Sequence, residues 1–182
     1  MRKSVVLGSL GFAAVSLAAY AVWAFAGKWL TATLHEGGFY AVVAVVFLAL
    51  SGLVLHKLVD GPNSLPRFLK AFVPAFIAYT AAWCACWFAL GWVKGEWLGS
   101  LLGTAAFAAV LGWSLGNLKP LPKAALVLFM GHSAGYFLGG PVHYGMKEQR
   151  LLGILLWGLL YGLGFGAGIG YAFHAFQRPG TK

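Results

Sequence analysis

Leu151 to Phe176 reads LLGILLWGLLYGLGFGAGIGYAFHAF, twenty-six residues with no acid, lysine or arginine. A helix rising about 1.5 Å per residue crosses about 30 Å of hydrocarbon with about 20 apolar residues, so this stretch is long enough to span a bilayer. It must do so as a helix, because backbone groups in lipid need partners within the segment and the run is too long for a barrel strand. Working outward from it, five more runs of that kind are bounded by charge, proline or glycine: Val5 to Ala26, Phe39 to Val59, Ala71 to Val93, Trp97 to Leu118 and Ala124 to Tyr144. The sequence therefore predicts an all-α, polytopic integral membrane protein, a compact bundle of six transmembrane helices forming one domain over residues 1–182.

Composition agrees. Of 182 residues, 60% are hydrophobic and 9% charged, against about 45–50% apolar and about 25% charged in an ordinary soluble domain. Disorder, a collagen-like repeat and a disulfide scaffold are excluded on the same grounds. Thirteen basic residues against four acidic ones give a net charge of +9. The bases lie between apolar runs and form no patch, so they imply no nucleic-acid partner and act as topology signals.

Lysine and arginine are retained on the cytoplasmic side during insertion. Arg2, Lys3, Lys57, Arg67, Lys70, Lys119, Lys123, Arg178 and Lys182 fall on one side of the six runs, and Lys28, Lys94, Lys147 and Arg150 on the other. Both termini are expected in the cytoplasm, in a multi-pass protein of the cell inner membrane whose basic face rests on anionic lipid headgroups. Trp29, Trp92, Trp97 and Trp157 lie near the expected outer boundary, where an aromatic belt forms. The first run ends in Ala24, Phe25 and Ala26, a small-x-small pattern like that of a signal-peptidase site. It is longer than the about 7–15 residues of a signal core, which favours a retained helix.

Glycine gives the strongest local pattern. Gly158, Gly162, Gly166 and Gly170 recur every four residues in the last run, with Gly164 and Gly168 beside them, and Gly131, Gly135 and Gly139 do the same in the fifth. Residues four apart share a helix face, and a face without side chains lets another backbone come close, which is how helices gain contact in lipid. These stripes are expected to pack helices within the chain, in a homo-oligomer or against a membrane-protein partner.

His132 is the leading candidate for function. It stands near the middle of the fifth run, where an ionisable group is costly unless it faces a cavity or a partner. Tyr136 lies one turn away, and Gly139, Gly140 and Pro141 are expected to break or kink the helix and free backbone carbonyls, a usual mark of a membrane binding site. With Tyr79 and Thr80 from the third run, these residues outline a candidate pocket. Gly131 to Gly135 also spells G-x-S-x-G, but a nucleophile elbow needs a strained strand-to-helix turn and a carboxylate partner, and this match lies inside an apolar helix.

Other chemistry has less support. His56 with His174, or His35 with His143, stand at similar depths, which would allow axial haem ligation, although nothing in their spacing selects it. Cys84 and Cys86 are two apart and point to different helix faces, so they cannot bridge. Asp60, Glu36, Glu96 and Glu148 all fall outside the expected hydrocarbon, excluding the usual buried carboxylate relay. No Walker loop, dinucleotide fingerprint or HExxH is present, and no metal or cofactor is implied. The expected function is binding or transport of a small neutral or apolar molecule near mid-membrane. The alternatives are a non-catalytic accessory or assembly subunit docking through its glycine faces and, behind it, a haem-binding redox protein.

Overall fold

A computed structural model describes residues 1–178. Lys182, counted above with the bases of one side, lies outside the described residues. The described chain is helical with no strand: α1 (Arg2–Leu55), α2 (Ser64–Leu90), α3 (Trp92–Ser114), α4 (Leu121–Gly145) and α5 (Arg150–Phe176), with short 3-10 turns at His56–Leu58 and Lys147–Gln149. Five helices are long and apolar enough to cross a membrane. Their outer faces carry leucine, valine, isoleucine and methionine at positions inside the helices such as Leu10, Val45, Ile77 and Met130, an apolar surface suited to a protein in lipid rather than in water.

Two of the expected runs belong to α1. Its regular geometry is interrupted at one residue, His35, with φ 60° and ψ 179°. The helix reverses there: the rings of Phe12 and Phe47 stack with centroids 5.6 Å apart, whereas 35 residues of straight helix would separate them by about 52 Å. At the far end of the hairpin, a Cβ added to Gly11 would lie 3.0 Å from Val54. The connection expected between residues 26 and 39 is thus mostly helix, with a backbone reversal at the single residue His35 turning the chain.

Two other boundaries move for similar reasons. The polar turn expected from Asp60 to Lys70 shrinks, since α2 starts at Ser64 after Asn63 in left-handed conformation and takes Pro66 into its first turn, where a missing N–H is harmless. Between α2 and α3 only Gly91 is non-helical, at φ 65°, a conformation open to glycine. Trp92 and Val93, read as the end of the third run, instead begin α3, and Glu96 is carried into its second turn.

The glycine faces determine the packing of α5. On one side a Cβ at Gly158 would lie 2.6 Å from the Tyr20 ring, one at Gly162 2.5 Å from the Ala13 Cα and one at Gly166 2.7 Å from the Phe12 Cβ, while Gly170 abuts Ser4 and Val5. On the other side Gly164 meets Gly131, Gly168 meets Leu128, and Gly135 meets Leu160 and Tyr161. α5 is therefore held between the first arm of α1 and α4, and α2 pairs with α3. Ser9 adds a hydrogen bond to the Leu163 carbonyl at 2.9 Å.

One end of the bundle gathers the residue 1–5, 56–63 and 115–120 segments with the end of α5. Gln177 joins them: its amide nitrogen donates to the Leu58 carbonyl at 2.8 Å and its oxygen accepts from the Asp60 N–H at 3.0 Å. Asn117 donates to the Phe176 carbonyl at 3.2 Å. The opposite end carries the His35 reversal, Gly91 and the Met146 turn.

Candidate functional site

At that opposite end the helices enclose a cavity of about 420 Å³. Twelve of its fifteen wall residues are aromatic, the others being Ala19, Val43 and Glu96. Each wall comes from a different part of the chain: Tyr20 and Trp23 from the first arm of α1, Phe39, Tyr40 and Phe47 from the second, Trp83 and Trp87 from α2, Trp92 and Glu96 from α3, Tyr136 and Tyr144 from α4, and Trp157 and Tyr161 from α5. Trp92 is 69% exposed and Tyr144 57%, and they flank the mouth. Trp157 at 7% and Tyr161 at 5% form the floor. Tyr161 lies eleven residues into α5 from Arg150, about 17 Å along the helix.

The walls are braced against one another. Trp157 packs on Tyr136 with centroids 5.3 Å apart and on Tyr20 at 6.1 Å, and its indole N–H donates to the Tyr136 carbonyl at 3.0 Å. The expected break at Gly139, Gly140 and Pro141 does not occur: α4 stays helical to Gly145. The two glycines instead make room for Trp157, whose Cγ would lie 2.9 Å from a Cβ on Gly139. Pro141 itself is exposed.

The sequence candidates divide between the cavity wall and the layer behind it. Tyr136 lines the cavity, and its hydroxyl donates to Oε1 of Glu96 at 3.1 Å. His132 is 0% exposed and does not reach the cavity. Its ring stacks on Tyr136 at 5.7 Å with planes 13° apart, and its Nε2 is 2.7 Å from the Tyr79 hydroxyl. Tyr79 in turn is hydrogen-bonded to the Tyr161 hydroxyl at 3.1 Å. A chain of polar groups thus leads from the floor, Tyr161, through Tyr79 to His132, its direction set by the tautomer of His132. Thr80 is not in this group, for its hydroxyl donates to the Phe76 carbonyl of its own helix at 2.9 Å.

Beyond the floor the interior is filled. Phe47 packs on Phe76 at 5.6 Å, Phe76 on Phe72 at 5.5 Å, Phe72 on Phe68 at 4.8 Å and Phe68 on Phe173 at 5.2 Å. This column occupies the bundle between the cavity and the end closed by Gln177.

Of the wall residues only Tyr136 is among the sequence candidates for the site, and the most consequential of those missed is Glu96. Placed outside the hydrocarbon by the expected start of its helix at Trp97, it sits in the cavity wall because α3 starts at Trp92. Among the described residues no group of three metal-ligating side chains is present. His56 turns its Nδ1 to the Leu53 and Gly52 carbonyls of its own helix. No protein family, curated protein or solved structure matches this chain.

Proposed function

We propose that the chain is a multi-pass protein of the cell inner membrane, with six spans and both termini in the cytoplasm, that binds a small organic molecule in the aromatic cavity. The two arms of α1 supply two of the six spans. The excess of lysine and arginine at the end closed by Gln177 supports placing that end in the cytoplasm, which leaves the cavity opening toward the outer side.

The observation that carries the binding reading is the cavity wall. Its volume falls within the range of about 300–1,000 Å³ typical of small-molecule sites, and such sites are lined by apolar and aromatic groups with a few polar ones. Tyr136, Tyr161 and Glu96 are the polar groups placed to orient an occupant. Binding is favoured over conduction because the phenylalanine column fills the bundle below the floor, so transport would require those rings to move. The accessory-subunit alternative has less support, since the glycine face from Gly158 to Gly170 is covered by the chain's own first arm.

The test is mass spectrometry of small molecules released from the full chain purified in lipid nanodiscs. Val43→Trp adds a ring to the cavity wall at a half-buried position. A compound present in the wild type and absent from a Val43→Trp protein of unchanged unfolding midpoint supports the reading. An identical set of compounds in both proteins overturns it.

A further inference from the structure

We infer that the occupant of the aromatic cavity is an organic cation, a substituted or quaternary ammonium, with Glu96 as its counter-ion. The inference rests on the cavity being a binding site and goes on to specify the charge of what it binds.

Three observations converge. The wall is built from indole, phenol and phenyl rings, whose faces carry negative potential and attract cations, most strongly where water is excluded. Glu96 is the only ionisable acid or base among the wall residues apart from the tyrosine phenols. Finally, the partner of Glu96 within the wall is a neutral donor, the Tyr136 hydroxyl, which orients the carboxylate without cancelling its charge. Lys28 and Arg150 line a separate cavity beyond Trp23 and Phe39 and are not part of this wall.

The energetics favour a cation over a neutral occupant of the same shape. Either one gains by covering the aromatic walls, but either one also displaces water from around Glu96. A neutral hydrocarbon leaves that carboxylate desolvated and paired only with a phenol, which is penalised. A cation restores the lost solvation by direct attraction and adds cation–π contact with the surrounding rings. The neutral or apolar molecule expected from sequence belongs to a pocket without Glu96, which the sequence places outside the hydrocarbon and the structure places in the cavity wall.

The experiment titrates full-length protein in phosphatidylcholine nanodiscs with benzyltrimethylammonium and with its uncharged carbon isostere, neopentylbenzene, following tryptophan emission. Empty nanodiscs and the Val43→Trp protein provide the background for partition into lipid. The wild type is expected to bind the cation at least about tenfold more tightly than the isostere. Glu96→Gln is expected to remove most of that preference, weakening the cation and relieving the penalty on the isostere, whose retained binding also reports that the variant is folded. Should Glu96→Gln fail to fold, the wild-type comparison decides by itself. Equal affinity for both probes overturns the cation assignment and leaves the cavity a binding site. Binding of neither above background overturns the cation assignment together with the binding reading beneath it.

Discussion

The Tyr79 hydroxyl lies 2.7 Å from Nε2 of His132, joining the middle of α2 to the middle of α4 across the buried interior. The same oxygen bonds the Tyr161 hydroxyl of α5, so one phenol serves three helices. Tyr79→Phe keeps the ring and removes that shared group. Buried side-chain hydrogen bonds in membrane proteins average about 0.6 kcal/mol and reach about 1.7. With two partners stranded, Tyr79→Phe is expected to cost about 1–2 kcal/mol in SDS-induced unfolding. His132→Ala is expected to cost more, about 2–4 kcal/mol, because it also empties the space between Tyr136 and Phe165. If His132→Ala unfolds at the wild-type midpoint, this bracing role is wrong.

Glycine substitutions should separate by face. Gly131→Ala would drive a methyl into the Gly164 backbone and Gly166→Ala into that of Gly8. Each is expected to destabilise by about 1–3 kcal/mol, the range of overpacking in a filled interior. Gly145→Ala meets no atom within 4 Å and is expected to change stability by less than about 0.5 kcal/mol. The same unfolding assay reads all three, and equal effects would count against close backbone packing as the reason for the pattern.

His35 occupies a backbone region that is essentially reserved for glycine, at a cost of about 1–3 kcal/mol. His35→Gly is therefore expected to raise the unfolding midpoint, with a gain in stability of about 1 kcal/mol after the added freedom of glycine in the unfolded chain is counted. His35→Pro would fix φ near −65° and deny the chain this reversal. A loss of folded protein is expected for proline, and a destabilised glycine variant would show that the strain is not there.

Orientation can be read by cysteine labelling in a Cys84→Ala, Cys86→Ala background. Gly37→Cys and Glu148→Cys are expected to react with an impermeant maleimide added to intact cells, whereas Lys119→Cys is expected to react only after permeabilisation. Reaction of Lys119→Cys with Gly37→Cys in intact cells would refute the six-span arrangement with the Gln177 end inside.

Hydrophobic run length located the helical mass well because it depends on local composition. The last helix, expected from Leu151 and observed from Arg150, is bounded by a charge that any reading finds. Reversals were expected between residues 26 and 39 and between 93 and 97, but their places at His35 and Gly91 were not legible, because each is one residue's backbone conformation within residues that would otherwise continue a helix. The second of them moved Glu96 from an expected loop into a wall. The candidate site was legible as far as one helix could show it, so that Tyr136 was found by its place beside His132. The cavity itself was not, because its rings come from segments between Ala19 and Tyr161 and meet only through tertiary packing.

The position of α5 between α1 and α4 also bears on the order of assembly. α1 touches α2 sparingly and is joined to the rest chiefly through α5, yet α5 emerges from the ribosome after all the others. In the proposed membrane arrangement, the glycine surfaces of the first arm and of α4 have only lipid against them until α5 enters the bilayer. The hairpin made first thus waits as an unattached piece until α5 is made. The last of the five described helices to be made is the one that joins the separate hairpins into a single body.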